Sequence, residues 1–248
     1  MMSKRYIESI LIKQIDDESY VKDLPVVKDL LNQGRLSFDC DVIFLVGENG
    51  TGKSTLVEAI AIQAGFNAEG GSRNFLFETR NTTSTLANYL TIARNDYPKD
   101  GFFLRAESFY NVATNIDDLD EDSSGSMLVD QYGGKSLHNQ SHGESFMALV
   151  QNRFFGKGLY ILDEPEAALS PSRQLTLLSE IHLLVKKNSQ FIIATHSPIL
   201  LSYPGALIYE IKDNEIRHVE YQDCEHVILT KEFLNCPERM LKYLLEDN

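Results

Sequence analysis

Residues 42–55 read Val42-Ile43-Phe44-Leu45-Val46-Gly47-Glu48-Asn49-Gly50-Thr51-Gly52-Lys53-Ser54-Thr55. Five apolar, β-prone residues run into a loop of the form G-x-x-x-x-G-K-[ST]. A helical pattern follows from Thr55 to Ala64, with Gly65 as its stop. Strand, glycine-rich loop and helix in this order are the context a phosphate-binding loop needs. Gly47, Gly50 and Gly52 let the backbone turn its N–H groups inward onto an anion at a helix N-terminus, with Glu48, Asn49, Thr51 and Thr55 supplying the rest of the cradle. The spacing puts Lys53 on the β- and γ-phosphates of a nucleotide and the Ser54 hydroxyl on Mg²⁺. Average Gly and Lys usage makes a chance match about one per hundred chains of this length, so the flanking strand and helix decide the reading.

The 248 residues are enough for one large α/β domain, or for two small ones. A net charge of −13 opposes broad electrostatic affinity for nucleic acid or anionic lipid, and leaves room only for a local basic groove. No apolar run approaches the roughly 20 residues of a membrane span, and Met-Met-Ser-Lys-Arg-Tyr carries no secretory apolar region. A cytoplasmic protein without direct membrane insertion is expected. Cys40, Cys224 and Cys236 form no C-x-x-C pair and no even-numbered framework, which favours reduced thiols over disulfides or a zinc site.

Working outward from the loop, residues 5–15 alternate as a strand does, residues 21–33 with Pro25 read as a short helix, and Leu36 to Val46 reads as one strand entering the loop. Beyond Phe66 the pattern weakens. A glycine turn at Gly70-Gly71, a helix near Thr82 to Ala93 and an apolar segment Gly101 to Leu104 are expected. The acidic stretch Asn115 to Ser126, with Asp117, Asp118, Asp120, Glu121 and Asp122, reads as a solvated loop, because it lacks the glycine and terminal glutamate of a calcium loop.

After Gly143 the pattern sharpens into helix, strand, helix, strand. Glu144 to Phe155 is helical with Gly156 as its stop, and Gly158 to Leu162 is a buried strand ending in Asp163-Glu164-Pro165-Glu166. Ser170-Pro171 opens a helix that places Leu175, Leu178, Ile181 and Val185 on one face. Gln190 to Thr195 is the next buried strand, ending at His196-Ser197-Pro198. Such alternation predicts a parallel, two-sided sheet with ligands at the carboxyl ends of its strands. The tail adds strands at Ala206 to Ile211 and Glu215 to Tyr221 and a helix from about Pro237 to Leu245.

Given the phosphate loop, the strand Leu159 to Leu162, expected beside the loop strand, delivers Asp163 to the Mg²⁺ shell. Glu164 falls one residue beyond, where it can orient or deprotonate the water that attacks the γ-phosphorus. His196, at the end of another apolar strand, can hydrogen-bond the γ-phosphate and hold Glu164 and the water in line. Ser141 and Glu144 fit a capping box, which alone would explain both; a serine hydroxyl and the Gly143 amide at an open helix N-terminus also make an anion site.

The order of GENGTGKST, SHGES, LYILDEPEAALS and ATHSP, spread over residues 47–198, resembles the ATP-binding-cassette ATPases, with Walker A, signature, Walker B, D-loop and switch histidine in sequence. Ser141-His142-Gly143-Glu144 stands where that family carries Ser-Gly-Gly-Gln, 22 residues before Asp163. The resemblance implies a P-loop NTPase fold of class α/β: a mostly parallel central sheet flanked by helices, a small antiparallel β portion and a helical signature subdomain. It implies a single domain over 1–248, with a core at 1–80 and 157–248 and the signature subdomain inserted at about 81–156. It also implies a head-to-tail homodimer formed on ATP, in which Ser141 and Gly143 act on the nucleotide of the partner subunit and Ala168-Leu169-Ser170 crosses the interface. His142 and Glu144 depart from the transporter signature, Pro165-Glu166 follows the Walker B pair, and Glu107 is the candidate for the Q-loop position. These departures resemble the soluble branch with RecF-like and chromosome-maintenance ATPases and small standalone bacterial ATPases. No heptad run for long coiled-coil arms is present.

The expected function is therefore a soluble, Mg-dependent ATPase that switches between monomer and dimer on a partner protein or nucleic acid. The alternative is the ATP-binding subunit of a transporter whose permease is a separate chain. A small-molecule kinase would leave the signature and His196 without a task, and no Asn-Lys-x-Asp motif reads guanine. Tyr20 and Phe38, upstream of the loop, are the aromatics considered for adenine stacking.

Overall fold

An apolar strand with no polar face belongs in the middle of a sheet covered on both sides. The computed structural model describes residues 5–73, 84–107 and 141–245. Its strands are Ile7–Ile12 (β1), Arg35–Ser37 (β2), Val42–Gly47 (β3), Leu90–Arg94 (β4), Asp100–Arg105 (β5), Gly158–Asp163 (β6), Gln190–Ala194 (β7), Leu207–Lys212 (β8) and Glu215–Val219 (β9). Six of them form the main sheet in the order β5-β6-β7-β3-β8-β9, parallel except for the β8-β9 hairpin. The other three form an antiparallel sheet in the order β2-β1-β4.

The period-2 alternation of strand side chains divides the core into two layers. Ile43, Leu45, Leu159, Ile161 and Ile192 pack with the helices Pro25–Gln33 (α1) and Lys53–Ala64 (α2) and with the small sheet. Phe44, Val46, Tyr160, Leu162, Phe191 and Ile193 face the opposite way, against His142–Arg153 (α3), Pro171–Lys186 (α4) and the short Pro198–Leu201 (α5). Glu225–Asn235 (α6) and Pro237–Leu245 (α7) close the described chain. None of the described helices is long and apolar enough to cross a membrane.

The architecture agrees with the α/β expectation, and several local readings are corrected. Leu36 to Val46 is not one strand: β2 belongs to the small sheet and β3 to the main one. The expected helix near Thr82 to Ala93 is, in its described part, a 3-10 turn at Thr85–Asn88 followed by β4. The register of β4 against β1 (Ile10↔Ile92, Ile12↔Leu90) overrides local propensity. Because β4 and β5 pair in the two sheets, they are not part of a helical insertion, although both fall within residues 81–156. On α4 the buried positions are Gln174, Leu177, Ile181 and Leu184; Leu175 is exposed, so the expected stripe sits one residue out of phase at its start. Helix α6 has no counterpart among the sequence expectations. The acidic stretch Asn115 to Ser126 lies outside the described residues.

One buried side chain clips the two sheets together. Gln190, the first residue of β7, accepts the Tyr6 N–H at 2.9 Å and the Ile7 N–H at 2.8 Å through Oε1, and donates Nε2 to the Ile7 carbonyl at 2.8 Å. Gln190→Leu keeps the volume and strands two buried N–H groups, each costing about 1–3 kcal/mol. The variant should lose at least about 2 kcal/mol, read as a lower urea midpoint at unchanged slope. An unchanged midpoint would show that the clip carries no stability.

Candidate functional site

Parallel strands bring their carboxyl ends to one edge, where the loops that follow can meet a ligand. At that edge β3 ends in the glycine loop, β6 ends at Asp163 and β7 leads through Thr195 to His196. The strand next to the loop strand is β7, with β6 one place further out, which corrects the expectation that the Asp163 strand adjoins β3.

The loop is shaped by close approach. A Cβ on Gly47 would lie 2.5 Å from the Ile211 carbonyl oxygen, and one on Gly52, at φ 91°, would lie 2.7 Å from Val26 Cγ1. Glu48, Asn49 and Gly50 are exposed, whereas Thr51, Gly52, Ser54 and Thr55 are half-buried where the loop enters α2. Lys53 is only 4% exposed. Its Nζ donates to the Gly47 carbonyl at 2.6 Å and the Glu48 carbonyl at 3.0 Å, so the ammonium is held inside the loop. Burial lowers its pKa, against the opposing pull of Glu164 and Asp163.

Ser54 and Asp163, 109 positions apart, meet directly: the Ser54 hydroxyl donates to Asp163 Oδ1 at 3.0 Å. Burial pushes the Asp163 carboxyl up to about 6, with Arg105 and Ser54 acting in the opposite sense. Arg105, at the end of β5, lies with Nε 3.2 Å from Asp163 Oδ2 and with Nη1 2.8 Å from Glu58 Oε2. Glu107 follows two residues later and its charge is felt at both Asp163 and Arg105. A hydroxyl and a carboxylate side by side next to a phosphate loop are the hard oxygen donors that suit Mg²⁺, so the residues present fit that ion.

Glu164 takes the left-handed conformation, φ 50° and ψ 50°, which is costly for a residue with a Cβ. It is held there by its N–H, which donates to the Ala194 carbonyl at 2.9 Å, and by Pro165 at the first position of the turn that follows. Its Oε1 is 3.6 Å from His196 Nε2. His196 is anchored from behind: its N–H donates to Glu166 Oε1 at 2.5 Å, and Nδ1 is 3.1 Å from His226 Nε2. Burial first, then the charges of Lys53 and His226, lower the His196 pKa and favour the neutral imidazole.

Ser141 and Gly143 open α3, and among the described residues the polar contacts of Ser141 run within that helix. The Ser141 N–H and hydroxyl both donate to Glu144 Oε2, at 3.0 and 2.7 Å. Those hydrogen bonds, with Arg173 adding to them, hold the Glu144 carboxyl below its usual range; Arg173 Nη2 lies 3.3 Å from Glu144 Oε1. A Cβ on Gly143 would lie 2.6 Å from Arg173 Nη1 and 2.9 Å from the Ala168 carbonyl oxygen, so packing alone requires glycine there. Leu169 is buried and Ser170 exposed, ahead of the start of α4.

Sequence reasoning missed Arg105, Glu58, Glu166 and His226. Arg105 ends a strand at the ligand edge, and Glu166 stands in the acidic run after Asp163, so position pointed to both; nothing local marked Glu58 or His226. Phe38 is fully buried core, and Tyr20 is 62% exposed on the 3-10 turn Tyr20–Asp23.

Residues 145–202 match a family described as an AAA domain, putative AbiEii toxin, type IV TA system. No curated protein matches the chain. Among solved structures, the SMC head domain from Thermotoga maritima is similar at 16% identity and TM-score 0.44, covering 87% of this chain and 99% of that one. Similar too is cbiO1 from Clostridium perfringens, part of the transporter complex cbiONQ, at 15% identity and TM-score 0.47 over 98% and 100% of the two chains. A nucleotide-free ATP-binding cassette from an ABC transporter gives 17% identity and TM-score 0.49 over 94% and 98%. The motifs that follow one another along the chain are gathered by the sheet at a single edge, and their order resembles that of the ABC-type P-loop ATPases.

Proposed function

We propose that the chain binds Mg·ATP at residues 47–55, hydrolyses it with Glu164 and His196, and uses the cycle as a head-to-tail dimerisation switch in the cytoplasm, acting on a partner protein or nucleic acid. The observation that carries this reading is the hydrogen bond from Ser54 to Asp163, which joins the loop and the acidic strand end next to Lys53.

In this reading the loop N–H groups and Lys53 hold the phosphates, and Lys53 exchanges its carbonyl partners for phosphate oxygens. Ser54 and Asp163 would hold Mg²⁺, which would supply charge neutralisation for the phosphates. Glu164 is aimed by its left-handed backbone and accepts a proton from the attacking water. His196, neutral and fixed through Glu166 and His226, donates from Nε2 toward the γ-phosphate or Glu164. Glu107 is the proposed Q-loop residue, and α3, opened by Ser141, is the proposed signature helix.

The dimeric step has a specific electrostatic condition. Ser141 already gives both its donors to the Glu144 carboxylate. To receive the γ-phosphate of the partner subunit's ATP, Ser141 must release Glu144, and Arg173 stands 3.3 Å away to take it.

Glu164→Gln should bind ATP as the parent does and lose at least about 100-fold in turnover, within the range of general-base catalysis; near-normal turnover would remove Glu164 from its role. Lys53→Ala should weaken ATP binding itself, as seen by equilibrium titration, because it removes a contact made in ground and transition states alike.

Ser141→Ala separates capping from catalysis. A pure cap costs about 1 kcal/mol and leaves kinetics intact; a ligand in trans, once removed, abolishes ATP-induced dimerisation and hydrolysis while each monomer still binds ATP. Mixed Ser141→Ala and Lys53→Ala subunits should regain part of the activity through the one composite site left whole. Parental turnover in Ser141→Ala would end the trans assignment.

Glu144→Gln removes the negative charge at Ser141. Sedimentation with ATP should show dimer at lower protein concentration than for the parent, whereas a weaker dimer would mean that the carboxylate itself contributes to the interface.

A further inference from the structure

Behind His196 lies a group of side chains of which the ATPase reading uses only one ring nitrogen of His226. Glu210 on β8, Cys224 at the start of α6 and His226 in its first turn bring a carboxylate oxygen, a sulfur and a ring nitrogen within 4.8 Å of one another. Glu210 pairs with Val46 of the loop strand, so the group sits directly beside the glycine loop. The Cys224 thiol is fully buried and hydrogen-bonded to the Glu210 carboxylate, whose Oε1 also accepts the Glu225 N–H at 2.8 Å.

A second observation concerns the hydrogen bonding of His226 and not the spacing of the three side chains. His226 commits Nε2 to His196 Nδ1 at 3.1 Å, while its Nδ1 is buried with no hydrogen-bond partner among the described residues. An orphaned buried imidazole nitrogen costs about as much as any unsatisfied polar group, and a thiol satisfied by Glu210 leaves it unexplained.

We propose that Cys224 Sγ, His226 Nδ1 and a Glu210 carboxylate oxygen form a binding site for a borderline-soft divalent transition metal, with Zn²⁺ as the type ion and one coordination position left to water. Thiolate, imidazole and carboxylate are a zinc donor set, and the sulfur sets the site apart from the all-oxygen environment that Mg²⁺ takes at Ser54 and Asp163. On binding, the thiol proton leaves to solvent and the sulfur bonds the metal, with no change in oxidation state. The cysteine spacing gave no sign of the site because its ligands come from β8 and from two positions flanking Glu225, not from a C-x-x-C pair.

The site has a consequence for His196, which rests on the ATPase reading. A metal on His226 Nδ1 fixes the proton on Nε2, where it is donated to His196 Nδ1. The proton of His196 then stays on Nε2, the nitrogen 3.6 Å from Glu164. The metal thus selects the tautomer that the catalytic position needs.

The test is a Co²⁺ titration of the full reduced chain, followed by its visible and near-ultraviolet absorption, and then displacement by Zn²⁺. One equivalent should bind with a thiolate-to-cobalt charge-transfer band. Cys224→Ser should lose that band, and His226→Gln should weaken binding by more than the roughly 10–100-fold assigned to loss of an outer-shell partner. The double variant Cys40→Ser/Cys236→Ser should bind as the parent does. Should Cys224→Ser fail to fold, His226→Gln, on a side chain that is 18% exposed, decides the matter alone. No charge-transfer band in the parent, a band that persists in Cys224→Ser, or unaltered affinity in His226→Gln would overturn the site. Lys53→Ala should bind Co²⁺ as the parent does, so failure of the ATPase reading leaves this result untouched. For the consequence at His196, ¹⁵N shifts should place its proton on Nε2 in the Zn²⁺ form; a proton on Nδ1 would break the link to catalysis while leaving the metal site standing.

Discussion

A carboxylate 3% exposed has to be matched by positive charge or hydrogen-bond donors, and Asp163 is matched by two groups from different parts of the chain. Ser54 reaches it from the start of α2 and Arg105 from the end of β5. Meeting both conditions requires β5, β6 and the loop helix to be in register at one edge, so the order of the parallel sheet and the geometry of the site are the same constraint. Arg105 also serves Glu58 on α2, which ties the helix after the loop to the strand that carries the compensating charge. This guanidinium supplies the positive charge that Asp163 needs.

The parts of this arrangement legible in the sequence were those that local chemistry dictates. Gly47 to Ser54 reads as a phosphate loop because its glycines let the backbone fold as an anion would require, and Asp163-Glu164 ends an uninterrupted apolar strand. The helix opened by Ser170-Pro171 and the strand ending before His196 follow from capping and from buried β-branched residues. What stayed hidden depends on partners far away in sequence. Leu90–Arg94 is a strand because Ile7–Ile12 is there to pair with it. Arg105 and His226 matter because of the neighbours they meet, and neither position has a motif of its own. The strand order was likewise invisible: two apolar strands ending in functional residues do not say which of them adjoins the loop strand.

Residues 141–144 show how one segment can satisfy two demands at once. Gly143 is glycine because Arg173 and the Ala168 carbonyl leave no space for a Cβ, and the same close approach holds the start of α3 against the segment leading into α4. Glu144 completes the donors of Ser141 in a subunit standing alone. A helix N-terminus satisfied internally is stable by itself, and the assembly proposed above has to compete with that internal carboxylate. The ion pair to Arg173 gives the carboxylate somewhere to go.

The placement of β3 also bears on how the protein is made. Its two neighbours, β7 at Gln190–Ala194 and β8 at Leu207–Lys212, are synthesised more than 140 residues after it. During elongation the loop strand therefore emerges with both hydrogen-bonding edges bare and an apolar surface on each face. It stays in that condition until nearly the whole described chain has left the ribosome. The glycine loop cannot take its shape earlier, since the Ile211 carbonyl that packs on Gly47 belongs to β8. The shape of the glycine loop is thus a property that a nascent chain acquires late, and truncated products ending before residue 212 present an unpaired Val-Ile-Phe-Leu-Val edge to their surroundings rather than a formed loop.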